Sequence, residues 1–145
     1  MKTLLILTLA AHLHIFSKVC VAGDIQIEFT SDDSYSTEVA YIQIGDTIEW
    51  LPTNEGHNVE FLSGPEGNSL PKKSKIDEPH SVVFTVPGVY LYGCTPHANM
   101  GMLGLIIVGN DLHNLESIKN VELTPVATSV LMRLVKTAQW HIKIP

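Results

Sequence analysis

Cysteine is nearly absent from this chain. Of 145 residues only Cys20 and Cys94 carry a thiol, and Cys20 falls in an N-terminal stretch with the pattern of an export signal. Lys2 precedes an apolar run from Leu4 to Ala11, and the small residues Cys20 and Ala22 predict cleavage after Ala22. The segment Ser17-Lys18-Val19 does not form a lipoprotein signal ahead of Cys20. Long uninterrupted apolar runs are absent too: His12, His14 and Lys18 break this stretch, which disfavours a spanning helix and leaves a retained membrane anchor as the competing reading. Without residues 1–22 the chain keeps one cysteine, which excludes an intramolecular disulfide framework, an iron–sulfur cluster and a thiolate-rich zinc site. Basic residues are also few, nine against fifteen acidic. Loss of Lys2 and Lys18 leaves seven against fifteen, a net charge of −8, which argues against nucleic acid or an anionic membrane as partner. No internal repeat or low-complexity segment is visible.

What is present reads as one modest domain. Short β-rich runs recur with Gly/Pro punctuation: Ile25–Phe29, Val39–Ile44 closed by Gly45-Asp46, Thr47–Leu51 closed by Pro52, Asn58–Leu62, Ser81–Thr85, Val89–Tyr92 and Leu103–Val108. Seven such strands predict an all-β sandwich or barrel. Residues 62–79, rich in Gly, Pro, Ser and Lys, predict a long loop without visible chemistry. After Gly109 the period changes. Leu112, Leu115 and Ile118 fit one helical face. Thr124 as N-cap and Pro125 at the first helical position then open a second helix through Val126, Val130, Leu131, Leu134 and Val135. The expected organisation is a signal at 1–22, a sandwich at 23–109 and a two-helix extension at 110–145 packed on it.

The scarce soft donors are concentrated in one decapeptide, "GCTPHANMGM" at 93–102. Cys94, His97 and Met102 follow a strand end, and His57 lies at the start of another strand after Gly56. Taken singly, each has an ordinary reading: a buried small thiol, a hydrogen-bonded loop imidazole, a core thioether. Taken together, one thiolate, two imidazoles and a weak axial thioether form a donor set suited to copper in both oxidation states. Met100 is a competing axial donor. A filled four-donor set leaves no open position for a substrate, so the reading is an electron carrier and no enzyme. His80, His113 and His141 lack matching partners and read as surface or packing residues.

The stretches "GDTIEWLPTNEGHNVE", "KSKIDE", "FTVPGVYLYGCTPHANMGMLGLIIVGND" and "NLESIK" resemble the pseudoazurins, type 1 copper proteins of the cupredoxin fold, which implies an all-β, antiparallel Greek-key β-sandwich with two C-terminal helices. The Cys-x-x-His-x-x-x-x-Met loop is shared with plastocyanin; Gly56-His57-Asn58 and the terminal helices point to pseudoazurin. The resemblance implies one copper ion held by His57, Cys94, His97 and Met102, with His97 the solvent-edge route for electrons. It also implies backbone N–H groups of Asn58 and Met100 directed at the thiolate, and an apolar docking patch of Pro96, Ala98 and Met100. Periplasmic location follows, with transient redox partners such as a copper nitrite reductase or a c-type cytochrome. The surface departs from the family: Glu55 precedes Gly56, and Gly93 stands before the cysteine where a lysine is common. Lys72, Lys73 and Lys75 remain in a strongly acidic chain, so the usual lysine-steered docking does not carry over. Two alternatives differ in class: a copper storage or delivery protein, and a fragment of a multicopper oxidase. The latter would need a His-x-His pair, found only at His12-Leu13-His14 in the signal segment.

Overall fold

The computed structural model describes residues 23–143, so the expected signal segment lies outside the described residues. Seven strands form two sheets: β1 (Asp24–Glu28), β3 (Thr47–Leu51) and β5 (His80–Val83) in one, and β2 (Val39–Ile42), β7 (Leu103–Val108), β6 (Gly88–Gly93) and β4 (Glu60–Ser63), in that spatial order, in the other. This is the cupredoxin-type sandwich expected, with one correction. The sheets are mixed, because β1 pairs parallel with β3 and β2 parallel with β7. From β1 the chain crosses to the second sheet for β2 and returns for β3, so β1 and β3 become parallel neighbours. Such a crossover leaves no mark in hydrophobic alternation.

Side-chain alternation on β6 and β7 builds two cores. Tyr90, Tyr92, Ile106 and Val108 face inward to meet Ile27, Phe29, Ile48, Trp50, Phe61 and Phe84 between the sheets. Val89, Leu91, Leu103, Leu105 and Ile107 face outward, where helices cover them. Both strands are therefore buried along their whole length, which is why they read as continuous apolar runs. Tyr92 lies directly across from Gly104, and a Cβ at Gly104 would overlap the phenol ring.

Helix α1 spans Leu115–Lys119 and α2 spans Pro125–Lys143. Helix α2 lays Ala127, Leu131, Leu134, Val135 and Ala138 on the outer face of the second sheet; burying each large side chain contributes roughly 1.5–3 kcal/mol. Its start is capped as expected: Thr124 Oγ1 accepts from the Ala127 N–H at 3.3 Å. The same hydroxyl donates to the Asn99 carbonyl at 2.7 Å, which ties the helix to the 93–102 loop. Farther along, Arg133 clasps Glu38 through two bonds of 2.7 and 2.8 Å. His141 stacks on Tyr41, a packing role, and His113 pairs with Asp111.

Strand ends shift where side chains take over the backbone groups. Strand β2 stops at Ile42 because Asp46 caps the turn, accepting from the Gln43 and Gly23 N–H groups. Strand β4 begins at Glu60, two residues later than expected, because Val59 pairs with Ser74 in both directions.

Candidate metal centre

The site lies at one end of the sandwich, where β6 runs out and turns back into β7. Gly93 pairs with Leu103, and a tight loop between them is held by its own backbone: His97 and Ala98 N–H donate to the Cys94 carbonyl, Met100 and Met102 N–H to the His97 carbonyl, and Cys94 N–H to the Met102 carbonyl. A short 3-10 turn, Ala98–Met100, ends at Gly101, whose φ of 104° lies in the left-handed region and whose Cα faces Val130 of α2. Gly93 is equally constrained. A Cβ there would press on Leu103, Ala98 and the Met102 carbonyl, so this chain has little room for the lysine common at that position.

Cys94 is fully buried and His57 nearly so, while the His97 side chain keeps 22% exposure. The three converge. Cys94 Sγ lies 3.7 Å from His57 Nδ1 and 3.6 Å from His97 Nδ1, and the two Nδ1 atoms are 3.0 Å apart. Met102 is buried in the same core cluster as Cys94 and shares its backbone bond, whereas Met100 is 60% exposed. Among the described residues, His57, Cys94 and His97 form the one cluster of three or more His, Cys, Asp or Glu donors close enough to hold an ion. A single thiol with two imidazoles falls short of a structural zinc or iron–sulfur set and fits copper, which accepts sulfur as Cu(I) and imidazole as Cu(II).

Outside the donors, a hydrogen-bonded frame fixes them. Asn58, itself buried, bridges the segments that carry His57 and Cys94. Its Oδ1 accepts from the Thr95 N–H at 2.8 Å, and its Nδ2 donates to Thr95 Oγ1 at 3.0 Å and to the Ser74 carbonyl at 3.3 Å. Thr95 Oγ1 in turn donates to Glu60 at 2.7 Å. Asp77 Oδ1 accepts from the Gly56 N–H at 2.6 Å and the His57 N–H at 3.2 Å, and Tyr35 Oη donates to the Asn58 carbonyl at 2.9 Å. Ser74 and Asp77 come from the 62–79 loop, which sequence reading left without chemistry; they are the structural supports of His57 that it missed. Asp33, in the connection from β1 to β2, is a third residue it missed: Oδ1 sits 3.6 Å from His57 Nε2 and 3.8 Å from His97 Nδ1.

Electrostatics follow from this burial. Desolvation pushes the Cys94 thiol up, and the backbone N–H groups of Asn58 and His97 pull it back down. Asn58 thus serves as expected. The N–H acting beside it is that of His97, which also donates to the Cys94 carbonyl, rather than that of Met100, which donates to the His97 carbonyl. Desolvation also lowers His57, reinforced by the neighbouring His97 and opposed by Asp33 and Asp77. Both effects favour a neutral imidazole ready to donate a lone pair.

The chain belongs to the plastocyanin/azurin family of copper binding proteins, whose family model matches residues 24–109. Copper is the cofactor that this membership brings. Within the family the chain is similar to pseudoazurins. It is 40% identical over 105 residues to a pseudoazurin homologue of Rhizobium leguminosarum bv. viciae, covering 68% of this chain and 69% of that one. It is 43% identical over 81 residues to the pseudoazurin of Paracoccus pantotrophus, covering 54% of this chain and about half, 55%, of that one. The crystal structure of pseudoazurin from Methylobacterium extorquens AM1 superposes with a TM-score of 0.71 at 30% identity, covering 79% of this chain and 98% of that one. The resemblance read from the sequence, and its all-β cupredoxin fold with two C-terminal helices, are borne out.

Proposed function

We propose that this chain is a periplasmic, mononuclear type 1 copper electron carrier in which His57, Cys94 and His97 are the strong ligands and Met102 the weak axial one. The observation that carries the reading is the convergence of two Nδ1 atoms and one Sγ within 3.0–3.7 Å at the end of a rigid sandwich. When bound, copper supplies the one-electron chemistry by cycling between Cu(II) and Cu(I). The protein supplies constraint. Asn58 clamps the Cys94 loop to the His57 segment, Asp77 fixes the His57 backbone, and the outer helices close off the sheet that carries Cys94. Donors held this firmly have little freedom to rearrange between oxidation states, which keeps reorganisation small. The Asn58 and His97 N–H groups draw charge from the sulfur and favour the reduced state.

His97, the donor most open to solvent, is the route by which electrons leave. Pro96 and Met100 are exposed around it with Ala98 partly so, and Val126 of α2 adds a further exposed apolar side chain beside Gly101. An exposed apolar patch beside His97 suits brief docking. Its partners are redox proteins, such as a copper nitrite reductase or a c-type cytochrome, met by a monomer. No helix among the described residues is long and apolar enough to cross a membrane. Burial of Cys94, His57 and Met102 disfavours the storage or delivery reading, which calls for exchangeable donors.

Reaction of the copper-loaded protein with a reduced c-type cytochrome tests this reading. Fast, reversible, one-electron exchange with copper retained against a modest chelator supports it. Rapid surrender of copper to the chelator, with sluggish exchange, would transfer the case to storage or delivery.

A further inference from the structure

The turn between β1 and β2 is built to deliver one carboxylate to the metal centre. Phe29 and Tyr35 pair across it as an isolated bridge and meet edge to face, with ring centroids 5.9 Å apart. Between them Thr30 N–H donates to the Ser34 carbonyl at 2.9 Å, and the Thr30 and Ser34 hydroxyls lie 2.7 Å apart. Ser36 closes the next rung with Glu28 in both directions. The same hairpin grips the His57 segment on two sides: Phe29 meets the His57 ring edge to face at 5.9 Å, and Tyr35 Oη holds the Asn58 carbonyl. At its tip Asp33 adopts φ 50°, a left-handed conformation that Asp and Asn tolerate better than other side chains.

That conformation places Asp33 Oδ1 beside both imidazoles. Among the described residues no other acceptor is paired with His57 Nε2. The 3.6 Å separation exceeds a hydrogen bond, so the coupling is one of charge through space. Asp33 is 54% exposed, yet its carboxylate stands within 4 Å of a ring nitrogen of each imidazole.

We propose that Asp33 is a positioning residue of the metal centre: its carboxylate holds the ring proton of His57 on Nε2, leaves Nδ1 free to face Cys94 and His97, and adds negative charge that favours the oxidised state. A carboxylate beside the non-ligating nitrogen of a ligand histidine fixes tautomer and raises donor strength. This carboxylate comes from the chain's own β1–β2 turn. The inference rests on His57 being a ligand, as proposed above, and adds a residue to that site.

Asp33→Asn tests it without disturbing the backbone, since Asn also accepts φ 50°. Asp32→Asn, the neighbouring charge in the same turn, is the control. Two readouts are needed: the His57 tautomer in the metal-free protein, from long-range proton–nitrogen NMR correlations, and the reduction potential of the copper-loaded protein. The wild type and Asp32→Asn should show the Nε2–H tautomer. Asp33→Asn should show a tautomer mixture and a potential raised by at least about threefold in the oxidised-to-reduced partition, about 28 mV at 59 mV per tenfold for one electron. Equal potentials for the two variants together with an unchanged tautomer would overturn the role of Asp33. Failure of the wild type to bind copper would instead overturn the carrier reading, and the tautomer comparison would still decide the role of Asp33 beside His57.

Discussion

Replacing Asn58 with alanine should loosen the joint between the segments that carry His57 and Cys94. Truncation removes three side-chain hydrogen bonds, to the Thr95 N–H, Thr95 Oγ1 and the Ser74 carbonyl. The longest, at 3.3 Å, contributes least. A typical bond contributes about 1 kcal/mol net, and a buried group left without a partner costs about 1–3 kcal/mol more. The expected loss is therefore about 2–4 kcal/mol, a fall in melting temperature on the order of 10 °C for a domain this size. Metal affinity should fall as well, by about 10–100-fold, because partners that orient ligands carry that weight. Urea unfolding of the metal-free protein measures the first quantity and competition with a chelator the second. A loss under about 0.5 kcal/mol with unchanged affinity would refute the view that Asn58 fastens the centre.

Gly104→Ala should cost about 3 kcal/mol by overpacking, because its methyl group would enter the buried Tyr92 ring; an unchanged melting temperature would contradict that geometry. In the metal-free protein, burial depresses both His57 and His80 below 6.5, so as pH falls beneath that value the unfolded chain takes up protons first. Stability should then drop on acidification, by at most about 1.4 kcal/mol per pH unit for each histidine, and His80→Gln should flatten part of the slope. A urea midpoint that stays level between pH 7.5 and 5.5 would count against this. The acidic balance of the chain predicts that a small cationic oxidant of the reduced protein slows as salt is added while an anionic one speeds up. The reverse pattern in stopped-flow mixing would mean that a local positive field governs approach.

Much of the fold was legible because its signals are local. The apolar runs at 89–92 and 103–108 marked strands buried on both faces, and Thr124-Pro125 marked a helix start that the structure caps with Thr124 itself. The parallel pairing of β1 with β3 was not legible, since strand direction depends on which sheet the chain visits in between. The candidate ligands Cys94, His97 and Met102 were read from spacing within one loop, and His57 from resemblance as well as from its place after Gly56. Their supports were not. Ser74 and Asp77 lie in a stretch whose composition says only loop, and Asp33 lies in a turn that composition does not distinguish from any other. Each acts through contacts 15 or more residues away in sequence. The one signal available for Asp77 was the quoted "KSKIDE" stretch, which carried resemblance without a stated role.

The most direct test of the central claim is the visible and electron paramagnetic resonance spectrum of the protein titrated with Cu(II), alongside Cys94→Ser. A type 1 centre gives an intense thiolate-to-copper charge-transfer band that saturates at about one equivalent, bleaches on reduction and is missing in Cys94→Ser. A colourless product, or a band that survives in Cys94→Ser, would show that His57, Cys94, His97 and Met102 do not form the proposed centre.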